Sequence, residues 1–250
     1  MFQPKLSVIT VVYNGVQDIE RTMLSVFNQT YPNIEYILID GGSTDGTLEI
    51  IKKYKHHIAK LISQKDQGIY DAMNKGLALA SGDYLLFMNS GDEIYAPDTV
   101  KQIFSTRPDA DIYYGETEMY SQDQQAFGKR RHQIPEHFTW KSFRYGMSIS
   151  HQAIYIRRSI TQPYDLTYQL SADIDWIIQA TKKAKLTVNT KQYVAKYQMG
   201  GLSKKRHFQS LKERFQIFVK HYGLIPTLIN HGIIAIRWLI YWIRHGKTND

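Results

Sequence analysis

The residues with chemistry to offer sit just behind apolar runs. Asp40 ends one run and opens the turn Gly41-Gly42-Ser43-Thr44-Asp45-Gly46-Thr47. A glycine-rich turn entering a helix can present backbone N–H groups to phosphate. Gly41 and Gly46 have the glycine spacing of a triphosphate loop, but Thr47 stands where that loop needs Lys, and no G-x-G-x-x-G occurs. A carboxylate at position 40 suits a nucleobase N–H or a ribose hydroxyl better than a phosphate, and Asp45 reads as a helix cap. Asp66 follows another apolar run, at a strand-to-helix junction where a base or ribose contact would lie. Asp71, Asn74 and Lys75 follow at helical spacing, which describes either a ligand-facing stripe or a solvated face. A fourth run ends in Asn89-Ser90-Gly91-Asp92-Glu93. Adjacent carboxylates there are costly unless they meet water or a cation, and hard oxygen ligands suit Mg²⁺ or Mn²⁺ on a diphosphate.

These residues need elements that bring the run ends together. Lys5–Val12, Glu35–Asp40, Lys60–Ser63, Asp83–Asn89 and Asp111–Gly115 read as strands. Gln17–Asn28, Thr47–Tyr54, Ile69–Ala80 and Asp98–Phe104 have helical periods between them. Nearly continuous apolar strands alternating with helices predict an α/β, doubly wound, mostly parallel sheet with helices on both faces. Such sheets bind ligands beyond the carboxyl ends of their strands. Residues 116–150 are polar and aromatic, with little periodicity, and read as loops or short strands. Beyond them Gln152–Arg157 reads as a strand, Ala172–Lys183 as a helix, Thr187–Tyr197 as one or two strands and His207–Tyr222 as a helix.

Composition narrows the class. A chain of 250 residues, 43% hydrophobic and 22% charged, has the make-up of a globular protein. Without cysteine it has no disulfide framework, thiolate metal site or cysteine nucleophile. The net charge of +8 is unevenly placed: residues 191–250 hold 11 Lys and Arg against 2 Asp and Glu. That pattern favours a near-neutral catalytic body with a cationic tail over a nucleic-acid binder, and no nucleic-acid partner is expected. The seven-residue run Leu6–Val12 is too short for an export signal and reads as a buried strand, which makes the cytoplasm the expected compartment.

Taken together, these segments resemble glycosyltransferase family 2, whose members have the GT-A fold. Ser7–Asn14 resembles the family's first strand and its nucleotide-contacting end, which implies nucleotide contacts from Thr10, Val12, Tyr13 and Asn14. The turn from Asp40 to Thr47 resembles the family's D-G-S-x-D-x-T, with one extra glycine. Asp66-Gln67-Gly68-Ile69-Tyr70-Asp71-Ala72-Met73-Asn74-Lys75-Gly76 resembles a segment of the exopolysaccharide and colanic-acid branch. The resemblance implies that Asp40 contacts the base and Asp66 the base or ribose, and adds Asn74 and Lys75 to the nucleotide side. Asn89-Ser90-Gly91-Asp92 occupies the place of the family's metal-binding D-x-D, which leaves Asp92 as the metal ligand. Ser171-Ala172-Asp173-Ile174-Asp175-Trp176 resembles the family's E-D-x-D/E element, with Ala172 for Glu. By that resemblance Asp173 is the general base and Asp175 orients it or the acceptor. His151 and Trp176 are implied on the acceptor or donor-sugar side. Gly200-Gly201-Leu202-Ser203 resembles a flexible loop near the diphosphate, where Lys204, Lys205 and Arg206 could close on phosphates and His207 could add a metal ligand.

The implied activity is transfer of a sugar from a nucleotide-sugar donor, a UDP-sugar first among the candidates. The implied acceptor is a glycan, probed first as a polyprenyl-linked saccharide of bacterial surface polysaccharide synthesis. The transfer would be an inverting, metal-assisted displacement. A sugar nucleotidyltransferase could share the sheet and metal, but Ser7–Gly15 lacks the basic residues a triphosphate loop needs. A non-catalytic module binding membrane or nucleic acid would leave the strand-end carboxylates unexplained. Residues 1–205 are expected to form the GT-A domain and 206–250 a basic, aromatic-rich helical extension. Within it Leu224–Ile243 is mainly apolar but holds Pro226, Asn230, His231 and Arg237. Trp238, Tyr241 and Trp242 cluster with Arg237, Arg244 and Lys247, a composition suited to the cytoplasmic membrane surface rather than to spanning it.

Overall fold

A computed structural model describes residues 3–121, 126–129, 134–146, 149–199 and 206–245. Four strands, β1 (Leu6–Val12), β2 (Ile34–Asp40), β3 (Lys60–Ser63) and β4 (Tyr84–Phe87), run parallel in the order β3-β2-β1-β4. Helices α1 (Ile19–Phe27), α2 (Thr47–Lys53) and α3 (Ile69–Leu79) connect them. This is the parallel, doubly wound half that the sequence predicts. Beyond β4 the sheet becomes mixed. β8 (Ile154–Arg157) lies antiparallel to β4, β6 (Ile112–Tyr120) antiparallel to β8, and β9 (Thr187–Gln198) parallel to β6. β5 (Glu93–Ile94) edges β9, and β7 (Ala126–Lys129) pairs with β6 within the stretch expected to hold loops or short strands.

Strand pleating explains the two-sided core. On one face Ile9, Val11, Ile37, Ile39, Leu85 and Phe87 pack with α3 and with α5 (Ala172–Lys183). On the other, Leu6, Val8, Tyr36, Leu38, Leu86 and Met88 pack with α1, α2 and α4 (Thr99–Thr106). A Cβ at Gly76 would lie 2.4 Å from Ile9 Cγ2, so only glycine lets α3 lie this close to β1.

α6 (His207–Tyr222) packs on α5, and its Ile217 and Phe218 belong to the same core as β1 and α3. The expected division at 205/206 therefore precedes a helix that is part of the body. α7 (Leu224–His245) lies against α6 with its polarity reversed. Thr227 and Asn230 are buried, while Ile225, Ile229, Ile236 and Ile240 face outward. Among the described residues no helix is long and apolar enough to cross a membrane. The side chains of Arg237, Trp238, Tyr241, Trp242 and Arg244, and all of Lys247, lie outside the described residues.

Candidate active site

The parallel register puts the polar turns at one end of the sheet. Val12, Asp40 and Ser63 are register neighbours, and the Ser90 N–H donates to Val11 O at 3.2 Å. Asn14 has φ 49°, a left-handed conformation that Asn tolerates. It stitches the first two turns: its N–H donates to Ser43 Oγ at 2.8 Å, and its Oδ1 accepts from Thr44 N–H at 2.9 Å. Tyr13 beside it is exposed, and Val12 is buried with its carbonyl accepting from Gly41 N–H. Asp40 is fully buried, accepting from Ser43 N–H at 3.1 Å and from Ser63 Oγ at 2.6 Å. Asp66 caps its own turn by accepting from Gly68 N–H at 2.9 Å. A Cβ on Gly41 would lie 2.3 Å from Asp66 Oδ2, so the glycine lets this carboxylate stand over the second turn. Lys75 pairs with Asp71 at 3.0 Å on the next helical turn.

Asp92 is buried between Gln152 Nε2, which donates to Oδ2 at 2.6 Å, and Gln198 N–H, which donates to Oδ1 at 3.2 Å. Burial pushes its carboxyl up to about 6 despite these donors and the nearby His151 and Arg21. Arg21 of α1 steadies the turn by donating to Gly91 O at 3.1 Å. Asn89 Oδ1 and Ser90 Oγ are buried without a partner. Hard oxygen donors short of a positive charge fit a divalent cation. Among the described residues, however, no three His, Asp or Glu side chains converge as a complete metal cluster.

Asp173, in the first turn of α5, is the centre of a second network. Tyr70 of α3 donates to Oδ1 at 3.0 Å, and His151 Nδ1 lies 3.3 Å from Oδ2. Burial alone would raise its carboxyl, but His151, Tyr70 and the charge of Arg214 outweigh that and hold it below the usual range. It is therefore an ionised, buried carboxylate. His151 reaches the other way as well, with Nε2 3.1 Å from Asn89 Nδ2.

Four expected site residues are used elsewhere, and a fifth, His207, stands apart from the site. Thr10 is fully buried; its hydroxyl donates to Met88 O at 2.7 Å and accepts from Tyr36, so it bonds β1 to the end of β4 instead of facing a ligand. Asn74 spends both amide atoms on the backbone of Tyr164, at 3.0 and 2.7 Å. Asp175 lies two residues from Asp173, hence on the far side of the helix. There it meets His221 at 2.7 Å and Lys220 at 3.1 Å, which pull its carboxyl below the usual range against the effect of burial. It clamps α5 to α6 and orients neither Asp173 nor an acceptor. Trp176 is 3% exposed, stacked on Tyr164 with its indole N–H on Gln162 O, so it is core and not a sugar platform. His207 is exposed on the first turn of α6 and joins no metal-holding group of His, Asp or Glu side chains among the described residues. The expected phosphate loop, Gly200 to Lys205, lies outside the described residues.

Tyr70, Asn89, Gln152, Gln198 and Arg214 enter the site unforeseen. Tyr70 and Gln152 stand one position from Asp71 and His151, which were singled out, and Asn89 opens the quoted segment that ends in Asp92, so all three could have been found there. Gln198 and Arg214 carry no local signal.

A largely parallel sheet with acidic and glycine-rich turns at one end, and a buried carboxylate close by, has the arrangement of a glycosyltransferase of the GT-A fold. Solved structures share that fold. Staphylococcus aureus TarS in complex with UDP superposes with a TM-score of 0.65 at 20% identity, over 98% of this chain and 73% of that one. The mannosyltransferase PcManGT of Pyrobaculum calidifontis, in complex with GDP-Man and Mn²⁺, gives a TM-score of 0.67 at 14% identity, over 99% of this chain and 77% of that one. Residues 7–162 match the model of Glycosyl transferase family 2. A PGL/p-HBAD biosynthesis glycosyltransferase of Mycobacterium tuberculosis is 33% identical over 98% of this chain and 99% of its own length. The chain belongs to glycosyltransferase family 2.

Proposed function

We propose that the protein transfers one sugar from a UDP-sugar to a lipid-linked glycan acceptor, with inversion at the anomeric carbon. The observation that carries this reading is the buried Asp173 carboxylate, held by Tyr70 and His151 and joined through His151 to the strand end that holds Asp92. The acceptor hydroxyl is a poor nucleophile near neutral pH and needs a base. Asp173 takes its proton as the oxygen bonds to the anomeric carbon. The bond from that carbon to the diphosphate oxygen breaks, and its electron pair leaves with the nucleoside diphosphate. One base and one in-line displacement invert the configuration.

The nucleotide would lie over the turns of β1, β2 and β3, with Tyr13 and Asn14 at its edge, Asp40 and Asp66 toward base and ribose, and Lys75 beside them. Asp40 must then exchange an internal donor for the base or act through the turn it holds. A bound Mn²⁺ or Mg²⁺ would be held by Asp92 with Asn89 Oδ1, and supplies charge screening to the departing diphosphate. The UDP and GDP-Man complexes of the two structural neighbours support a nucleotide-sugar donor, and the Mn²⁺ in one of them supports the cation.

The outward apolar stripe of α7 and the cationic last quarter of the chain suit peripheral attachment to anionic lipid on the cytoplasmic membrane surface. That attachment would bring the site to a polyprenyl-linked saccharide.

Thermal unfolding with UDP, GDP, dTDP and CMP, each with and without Mn²⁺ or Mg²⁺, tests the donor end. A ligand at about 100 times its Kd adds about 2.7 kcal/mol. The expected result is metal-dependent stabilisation by UDP that Asp92→Ala abolishes. Stabilisation by another nucleotide alone overturns the UDP assignment, and stabilisation untouched by Asp92→Ala overturns the role of Asp92.

A further inference from the structure

One short turn touches both ends of the candidate reaction. The 3-10 turn His151–Ala153 leads into β8 and sits between β4 and α5. Its two consecutive side chains diverge. Gln152, 2% exposed, donates to Asp92 Oδ2 at 2.6 Å. His151 Nδ1 meets Asp173 Oδ2 at 3.3 Å, while Nε2 meets Asn89 Nδ2 at 3.1 Å. The residues so joined come from distant parts of the chain: Asn89 is 62 positions from His151, and Asp92 is 60 from Gln152.

We propose that His151 is a positioning residue that holds the Asp173 carboxylate in line with the donor end through Asn89. The inference rests on Asp173 accepting the acceptor proton. With Asn89 Nδ2 donating to Nε2, the imidazole keeps its proton on Nδ1 and donates it to Asp173. This fixes one carboxylate oxygen while Tyr70 fixes the other. A carboxylate held at both oxygens cannot rotate, so its remaining lone pairs have one direction in which to meet an incoming hydroxyl. Because Asn89 lies on the loop that carries Asp92, His151 ties the base to the donor end. Orientation of this kind is where supporting partners contribute to rate.

Two substitutions separate the two ring nitrogens. His151→Asn keeps an N–H donor near the Nδ1 position, and His151→Gln keeps one near Nε2. UDP release from UDP-glucose, UDP-galactose and UDP-N-acetylglucosamine, with a membrane extract as acceptor, is the kinetic readout. We expect His151→Ala to lower kcat about 10–100-fold while the donor KM moves little, His151→Asn to recover most of the loss, and His151→Gln to stay near alanine. Equal activity of the Asn and Gln variants, or full activity of His151→Ala, overturns the proposal. Thermal unfolding of each variant identifies any that fails to fold.

Side-chain ¹⁵N spectra test the same geometry without turnover. His151 is assigned by the signal lost in His151→Asn. The expected wild-type ring carries its proton on Nδ1, and that nitrogen shifts in Asp173→Ala. A ring protonated on Nε2 alone and indifferent to Asp173→Ala overturns the proposal. If the wild type releases no UDP from any of the three donors, the transfer reading is what fails, and the spectra still decide the position of His151.

Discussion

Asp173, the proposed base, owes its state to its neighbours as much as to its own chemistry. A buried carboxylate left alone would hold its proton, and the donors around it keep this one ionised. Asp173→Asn should lower kcat by about 10²–10⁴-fold. UDP-dependent stabilisation should persist, since the amide fills the same space; its loss in thermal unfolding would mean that residue 173 shapes the donor site instead. The same scale shows why motif spacing misassigned neighbours. Asp173 and Asp175 stand about 200° apart around a helix of 3.6 residues per turn, so one faces His151 and the other His221. Asn74 and Thr10 have the right types at the right distance along the chain, but their polar atoms are claimed by Tyr164 and by Met88.

At the scale of elements, the close seat of α3 on β1 holds Tyr70 against Asp173. Gly76→Ala forces a Cβ into Ile9, and overpacking of this kind costs about 1–3 kcal/mol. Urea unfolding should show that loss as a lower midpoint with an unchanged slope; an unchanged midpoint would show that α3 can lift away freely. The β1–β4 half was legible because each strand and helix carries its own period. The β8-β6-β9 half was legible only as separate segments. Which neighbour a strand pairs with, and in which direction, leaves no mark on a run of six residues such as Gln152–Arg157.

Across the whole molecule, a buried carboxylate ties together the end of the sheet opposite the site. Glu35 accepts from Ser7 at 2.6 Å, from Ser81 N–H at 2.8 Å and from Lys5 at 3.1 Å. Burial would raise its carboxyl, but these donors outweigh that and lower it to about 2. Its contribution of about 3 kcal/mol is fully present above the unfolded value near 4.5 and is lost as pH falls through about 2. Glu35→Gln should therefore be less stable than wild type at pH 7, with the gap closing below pH 4 in chemical unfolding; a gap independent of pH would remove the charge from the explanation. The second whole-molecule prediction concerns α7. Ile225→Glu with Ile229→Glu and Ile236→Glu should abolish co-sedimentation with phosphatidylglycerol vesicles while UDP-dependent stabilisation stays. Undiminished sedimentation would sink the membrane role of that stripe.

The order of strands and helices, the acidic and glycine-rich turns behind the strands and the cationic tail were determined by the sequence itself. Each is a local property, written in side-chain type and in periods of two or 3.6 residues. Only the tertiary structure decided that Tyr70, 103 positions from Asp173, would bond to it, that His151 would stand between Asp173 and Asn89, and that α7 would turn Thr227 and Asn230 inward. Those contacts depend on how packed elements rotate against one another, and the chemistry of the site lies in that rotation: a carboxylate becomes a base, a clamp or a cap according to the donors that packing brings to it.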